Sequence, residues 1–178
     1  MVYAENPWNT LLGALSLLDS VEKMEGRVRL QKMVYLLKCN GEPLFEDAQF
    51  RYRHFGPFSD DLASQVERAV EAGFIEEKVD KWGDGPYEVA YKYGLTPNGK
   101  IYRQGSHGLR PESVTLASDL MDEHWRTLEL GATAAFLYEQ REVPSESAIE
   151  RAIELKLKCA PYRKRAEEIF RRVCRLAK

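Results

Sequence analysis

The chain has 178 residues, 44% of them apolar and 30% charged, with a net charge of −2. That length can bury one core without staples, and so small a net charge announces no polyanion partner. Cys39, Cys159 and Cys174 form no CxxC or zinc-ligand pattern, which excludes a disulfide scaffold and fits free thiols in a reducing cytoplasm. Residues 1–7 lack the basic and apolar stretches of a signal peptide, and no run approaches the ~20 apolar residues of a membrane span.

A first helix is predicted from residue 6 to about 20, where Trp8, Leu11, Leu12, Leu15 and Leu18 recur at helical spacing. A second follows over 27–38. Leu30, Met33, Val34 and Leu37 form one stripe, and Tyr35 and Leu36 make the opposite side apolar, so this helix belongs between layers. Asn40-Gly41-Glu42-Pro43 ends it. Residues 49–55 alternate as a strand does, with Phe50, Tyr52 and His54 on one side and Arg51, Arg53 and Phe55 on the other. Gly56-Pro57 reads as a turn in which Pro57 stops strand pairing.

Ser59 is a good N-cap, and Asp60 and Asp61 suit the positive end of a helix dipole. The helix they open runs to Ala72, with Leu62, Val66, Ala69 and Val70 as its core stripe. Residues 74–81 and 87–95 read as strands around a Gly83-Asp84-Gly85-Pro86 tip. Thr96 then caps a short helix with Pro97 at its first position. Residues 104–111 read as a linker. Everything beyond is helical: Leu116, Leu120 and Trp125 lead into the small-residue run Gly131-Ala132-Thr133-Ala134-Ala135. A further helix starts at Pro144-Ser145, and a last one at Pro161.

Helix, strand, helix, hairpin and helix in this order make a winged-helix-like domain over 6–104. A helical extension over 111–178 packs on it, so that the two can form one structural domain. The fold class is mainly α with a small antiparallel hairpin or sheet.

Such a domain touches DNA mainly through the helix before the hairpin. Here the residues expected on its outer face are Asp60, Asp61, Ser64, Gln65, Glu67, Arg68 and Glu71, four carboxylates against one arginine. Phosphate contact needs the opposite sign. Residues 151–178 carry +7 and the first 150 carry −9, which predicts either a basic docking surface or an internal match between the two parts. Nucleic acid binding would therefore rest on Arg27, Arg29 and Lys32, or on Arg163, Lys164, Arg165, Arg171 and Arg172.

Catalysis has little support. His54, His107 and His124 are scattered, and His54 reads as a packed residue of an aromatic strand. No P-loop, nucleophile elbow or dinucleotide glycine pattern occurs. No catalytic residue, cofactor or metal is expected, and the chain is read as no enzyme. Trp82 sits at the hairpin tip, which cannot bury it, so a partner or a second copy of the chain is expected to cover it.

The run Arg29-Leu30-Gln31-Lys32-Met33-Val34-Tyr35-Leu36-Leu37-Lys38, followed by Phe50, Tyr52 and Phe55-Gly56-Pro57-Phe58-Ser59, resembles the YwgA-like family of uncharacterised prokaryotic proteins. More distantly it is similar to Panacea-type antitoxin domains, which also pair a Leu-Gln-Lys helix with a Tyr-Gly-Pro turn. Leu128-Glu129-Leu130-Gly131-Ala132-Thr133 followed by Phe136-Leu137 resembles the YwgA-like helical tail. The resemblance implies a regulatory or interaction module, often in mobile or defence-associated contexts, with no catalytic residues. The expected partner is another protein, a toxin or a defence component. The positions expected to meet it are Gln31, Lys32, Phe55, Gly56, Pro57, Phe58, Asp60, Asp61 and Trp82.

Overall fold

Capping chemistry decides several helix ends in the computed structural model, which describes residues 8–81, 89–140 and 142–176. The elements in chain order are α1 (Asn9–Val21), β1 (Met24–Glu25), α2 (Arg27–Cys39), a 3-10 turn (Pro43–Phe45), β2 (Arg51–Arg53) and β3 (Gly56–Phe58). Then come α3 (Asp60–Glu71), β4 (Ile75–Lys81), β5 (Val89–Leu95), α4 (Pro97–Gln104) and α5 (Pro111–Met121). The chain closes with α6 (Trp125–Glu139), α7 (Ser145–Leu155), a second 3-10 turn (Leu157–Tyr162) and α8 (Arg163–Val173). The protein is mainly α with small antiparallel sheets.

Ser59 Oγ accepts from the Leu62 N–H at 3.2 Å, and Thr96 Oγ1 accepts from the Gly99 N–H at 3.0 Å. Both caps stand where short polar side chains precede a helix. β4 and β5 pair antiparallel from Ile75↔Leu95, and β1 joins the other side of β5 with Met24 opposite Tyr93. The strand order is β1-β5-β4. β2 and β3 form a separate ribbon, with Arg51 opposite Phe58, Tyr52 opposite Pro57 and Arg53 opposite Gly56.

The ribbon corrects the reading of residues 49–58. The turn lies at His54-Phe55, one step earlier than predicted, and Gly56-Pro57 belongs to a strand. Pro57 is tolerated because the ribbon has only two strands, so every residue in it is at an edge. Two further corrections are small. The first helix begins at Asn9, and Pro161 lies inside a 3-10 turn, so that the last helix starts at Arg163. The Gly83–Pro86 tip lies outside the described residues.

α6 sits at the centre. It is buried on every side from Thr127 to Leu137, through a run of mostly apolar and small residues, and packs on α2, β3, α7 and α8. Gly131 permits a close approach to α8, since a Cβ there would stand 3.2 Å from the Ala166 carbonyl oxygen. The segment read as a linker is anchored at its C-terminal end. Leu109 N–H donates to Ser16 Oγ at 2.9 Å, and Arg110 N–H donates to the buried Glu42 carboxylate at 3.2 Å. Its guanidinium also donates to the Gly41 carbonyl at 2.7 Å.

Candidate functional site

The Gln-Lys pair of α2 is what fixes the aromatic ribbon. Gln31 Nε2 donates to the Ser59 carbonyl at 3.0 Å, and Gln31 Oε1 accepts from the Ser59 N–H at 2.9 Å. One side-chain amide thereby satisfies both polar groups of a backbone residue, as a neighbouring strand would. Lys32 Nζ donates to the Pro57 carbonyl at 2.6 Å. Both side chains are buried, Lys32 to 1% exposure. Gln31 and Lys32, expected to meet a partner, are buried side chains that position the ribbon. Gly56 and Pro57 are also buried. Gly56 has φ +87°, and a Cβ on it would stand 2.7 Å from Thr133 Oγ1 on α6.

Beneath the ribbon lies a buried charge network that the sequence reading missed. Glu129 of α6 is 4% exposed, and its carboxylate meets Lys156 Nζ at 3.0 Å. Lys156 also donates to the His54 carbonyl at the ribbon turn. Cys159 Sγ donates to the other Glu129 oxygen at 3.8 Å. The signal was available: Glu129 interrupts an apolar run between Leu128 and Leu130, and Lys156 stands between Leu155 and Leu157. A charge embedded in apolar sequence is buried only when paired.

Burial pushes the Lys32 ammonium down to about 7, against the pull of Glu129 and with the repulsion of Lys156. Its ordinary value is 10.5, so between these limits the unfolded chain binds more protons than the folded one. Stability then rises with pH above about 7, and below that pH the burial penalty is fully present. The urea midpoint should be higher at about pH 8.5 than at about pH 6.5, and Lys32→Met should abolish that slope. An equal slope in the variant would assign it to another group. The window closes near pH 9, because burial raises the Cys159 thiol from 9.0 to about 11 and that group loses stability as pH climbs.

Above the network, α2 and the ribbon enclose a cleft of 610 Å³ lined by Arg27, Lys32, Arg51, Arg53, Phe55 and Phe58 among others. Phe55 is 44% exposed and Tyr52 39%. His54 is exposed too, set edge-on to Phe55 with ring centroids 4.8 Å apart, where a packed residue had been expected. Arg51 and Arg53 both hold Asp60. Asp61 is exposed on α3, whereas Gln65, expected on the outer face, is buried and donates to Asp61 at 2.7 Å. Trp82 lies outside the described residues. Among the described residues no three His, Cys, Asp or Glu side chains gather as a metal would require.

The basic residues named for nucleic acid are engaged elsewhere. Arg29 donates to the Leu120 and Met121 carbonyls and so caps the C-terminus of α5. Arg27 pairs with Glu77. Arg163 pairs with Glu150, Arg165 with Glu123 and Glu168, Arg171 with Glu167, and Arg172 with Asp119. Lys164 stands among them on α8. Arg163, Arg165, Arg172 and Lys156 reach acids earlier in the chain, so the charge asymmetry is in good part an internal match. Among the described residues no helix is long and apolar enough to cross a membrane.

The chain is similar to a protein of Bacillus subtilis (strain 168) named "Uncharacterized protein YwgA". The two are 31% identical over 111 residues, which is 62% of this chain and 64% of that protein. The chain thus spans less than two thirds of its relative's length. No family model matches it. The relative's name agrees with the resemblance read from the Leu-Gln-Lys helix and the Phe-Gly-Pro-Phe-Ser turn.

Proposed function

We propose that this chain is a YwgA-like, non-enzymatic regulatory protein, antitoxin-like or defence-associated, that acts by binding another protein. The observation that carries this reading is the ribbon. Its exposed rings, Tyr52 and Phe55, are presented by a backbone that buried side chains hold rigid. Rigid aromatic anchors beside guanidinium groups are the usual make-up of a protein-binding hot spot. Leu155 and Leu157, both exposed, flank in sequence the lysine that reaches the same turn. The element order α1, β1, α2, α3, β4 and β5 supports reading this part as winged-helix-like, with protein contact as its proposed use.

Photo-crosslinking tests this. Benzoylphenylalanine replacing Phe55 should give one discrete protein adduct in cells of the source organism. The same group at Ile101, exposed on α4, should not. No adduct at position 55, or equal adducts at both, would defeat the reading.

The second reading is a winged-helix DNA-binding regulator. It is favoured by the element order alone, and opposed by the paired arginines and by the carboxylates exposed on α3. A random duplex of about 30 base pairs should not bind at about 50 mM salt, and micromolar binding with a steep salt slope would put this reading first.

A further inference from the structure

Two arginines that line the cleft already share one carboxylate. Arg51 Nη2 lies 2.6 Å from Asp60 Oδ2, and Arg53 Nη2 lies 2.6 Å from Asp60 Oδ1. Two guanidinium groups on one acid leave the trio with one net positive charge. Both arginines remain about half in solvent, so a second acid can reach them. Arg53 also lies over the Phe58 ring, 5.1 Å from its centroid, which fixes its plane along the wall of the cleft. On the facing wall Arg27 stacks 3.8 Å over Tyr91 and shares its charge with Glu77 at 3.2 Å. Arg27, Arg51 and Arg53 thus line one cleft, and the rings of Tyr52 and Phe55 stand at the ribbon.

We propose that this cleft takes an acidic peptide segment of a partner protein, whose carboxylates replace Asp60 on Arg51 and Arg53 and whose bulky apolar side chain packs on Phe55. This rests on the reading of the chain as a protein-binding module and supplies the chemistry of the bound segment. Asp60 is the resident competitor: it shows that a carboxylate fits both guanidinium groups at once, and it weakens every incoming acid. A volume of 610 Å³ suits a few side chains of an extended peptide.

Phosphates would satisfy the same arginines, but a polynucleotide does not stop at the cleft. The neighbouring groove shares Arg27, Gln31 and Phe58 with it and carries Glu67, Glu71 and Glu77. A continuing polyanion meets those acids and is repelled, whereas a short acidic segment ends before them. The same acids would accept the basic or neutral flank of a peptide.

The test uses the full chain and fluorescence anisotropy with three labelled peptides: acetyl-Glu-Glu-Phe-Glu-Leu-Glu-amide, and its analogues with every Glu replaced by Gln or by Lys. The acidic peptide should bind best. Arg53→Glu should weaken it about tenfold or more. Asp60→Asn should tighten it several-fold, a gain that no unfolding of the variant can imitate. Thermal melts of Arg53→Glu, and the milder Arg53→Gln, separate lost binding from lost fold. Equal binding of the acidic and Gln peptides would overturn the inference, and so would weaker binding by Asp60→Asn. Preference for the Lys peptide, or for a single-stranded oligonucleotide over the acidic peptide, would overturn it too. An adduct at position 55 together with any of these results would leave the protein-binding reading standing and remove only the acidic partner.

Discussion

Glu129→Gln should lower stability by about 3 kcal/mol or more, because it leaves cations buried without their anion. For a chain of this size that corresponds to a fall in melting temperature on the order of 10 °C. Glu129 is the acid that faces Lys156 at 3.0 Å and offsets part of the burial penalty on the Lys32 ammonium. The substitution preserves shape, so cavity formation contributes little, and the loss reads the charge. Two features mark the mechanism. The deficit should shrink as pH rises from about 7 to about 9, since Lys32 can then shed its proton in the fold. The double variant Glu129→Gln with Lys156→Met should recover part of the loss, giving a coupling energy of about 1 kcal/mol or more. A single-variant loss below about 1 kcal/mol would mean that water reaches this network and screens it.

Gly56→Ala should cost about 2–4 kcal/mol, by two separable routes. The first is the backbone, since φ +87° is disfavoured for any residue with a Cβ. The second is contact, since the new Cβ would press on Thr133 Oγ1 at 2.7 Å. Gly73 provides the control, because it has φ +73° and nothing within 4 Å of a built Cβ. Gly73→Ala should therefore cost only the backbone part, about 1 kcal/mol. Chemical denaturation of both variants checks the pair. Equal losses would show that α6 moves aside at no cost. The ribbon is also the proposed docking element, so Gly56→Ala should weaken partner binding while Gly73→Ala should not.

These residues show which parts of the fold could be read from sequence. Ser59 and Thr96 were legible because a cap is a contact with a backbone N–H three residues on, wholly inside the local sequence. The strands over 74–81 and 87–95 were legible from the turn residues Gly83-Asp84-Gly85-Pro86 between them. The Gly56-Pro57 segment was misplaced because its pairing is decided at a distance. The backbone of Ser59 is satisfied by a glutamine 28 residues earlier, and the Pro57 carbonyl by a lysine 25 residues earlier. No rule about turns contains that information. The short strand β1 was missed because two residues carry no periodicity.

The site was legible in its members more than in their roles. Gln31, Lys32 and Phe55 line the cleft, and Asp60 pairs with two of its arginines. Sequence could not divide them into buried braces and exposed contacts. Asp60 and Asp61 look alike beside a helix start, yet only Asp60 has two arginines opposite it, because β2 runs back past the start of α3. The basic tail misled in the same way. Its excess charge is plain in the sequence, but its partners Asp119, Glu123 and Glu129 lie on α5, on α6 and in the segment between them.

The anchored segment between α4 and α5 has a consequence for how the chain can be divided. A protease nick between Gly105 and Ser106 would give two fragments, one ending with α4 and the other beginning just before α5. The first would expose the face of α2 that α6 covers, and the second would expose the whole of α6 on that side. Glu42 and Ser16 on one fragment would still match Arg110 and Leu109 on the other. Neither fragment holds a complete core, and together they hold every contact except one peptide bond. The protein is thereby a natural candidate for splitting into complementing halves, with folding itself as the signal that the two have met.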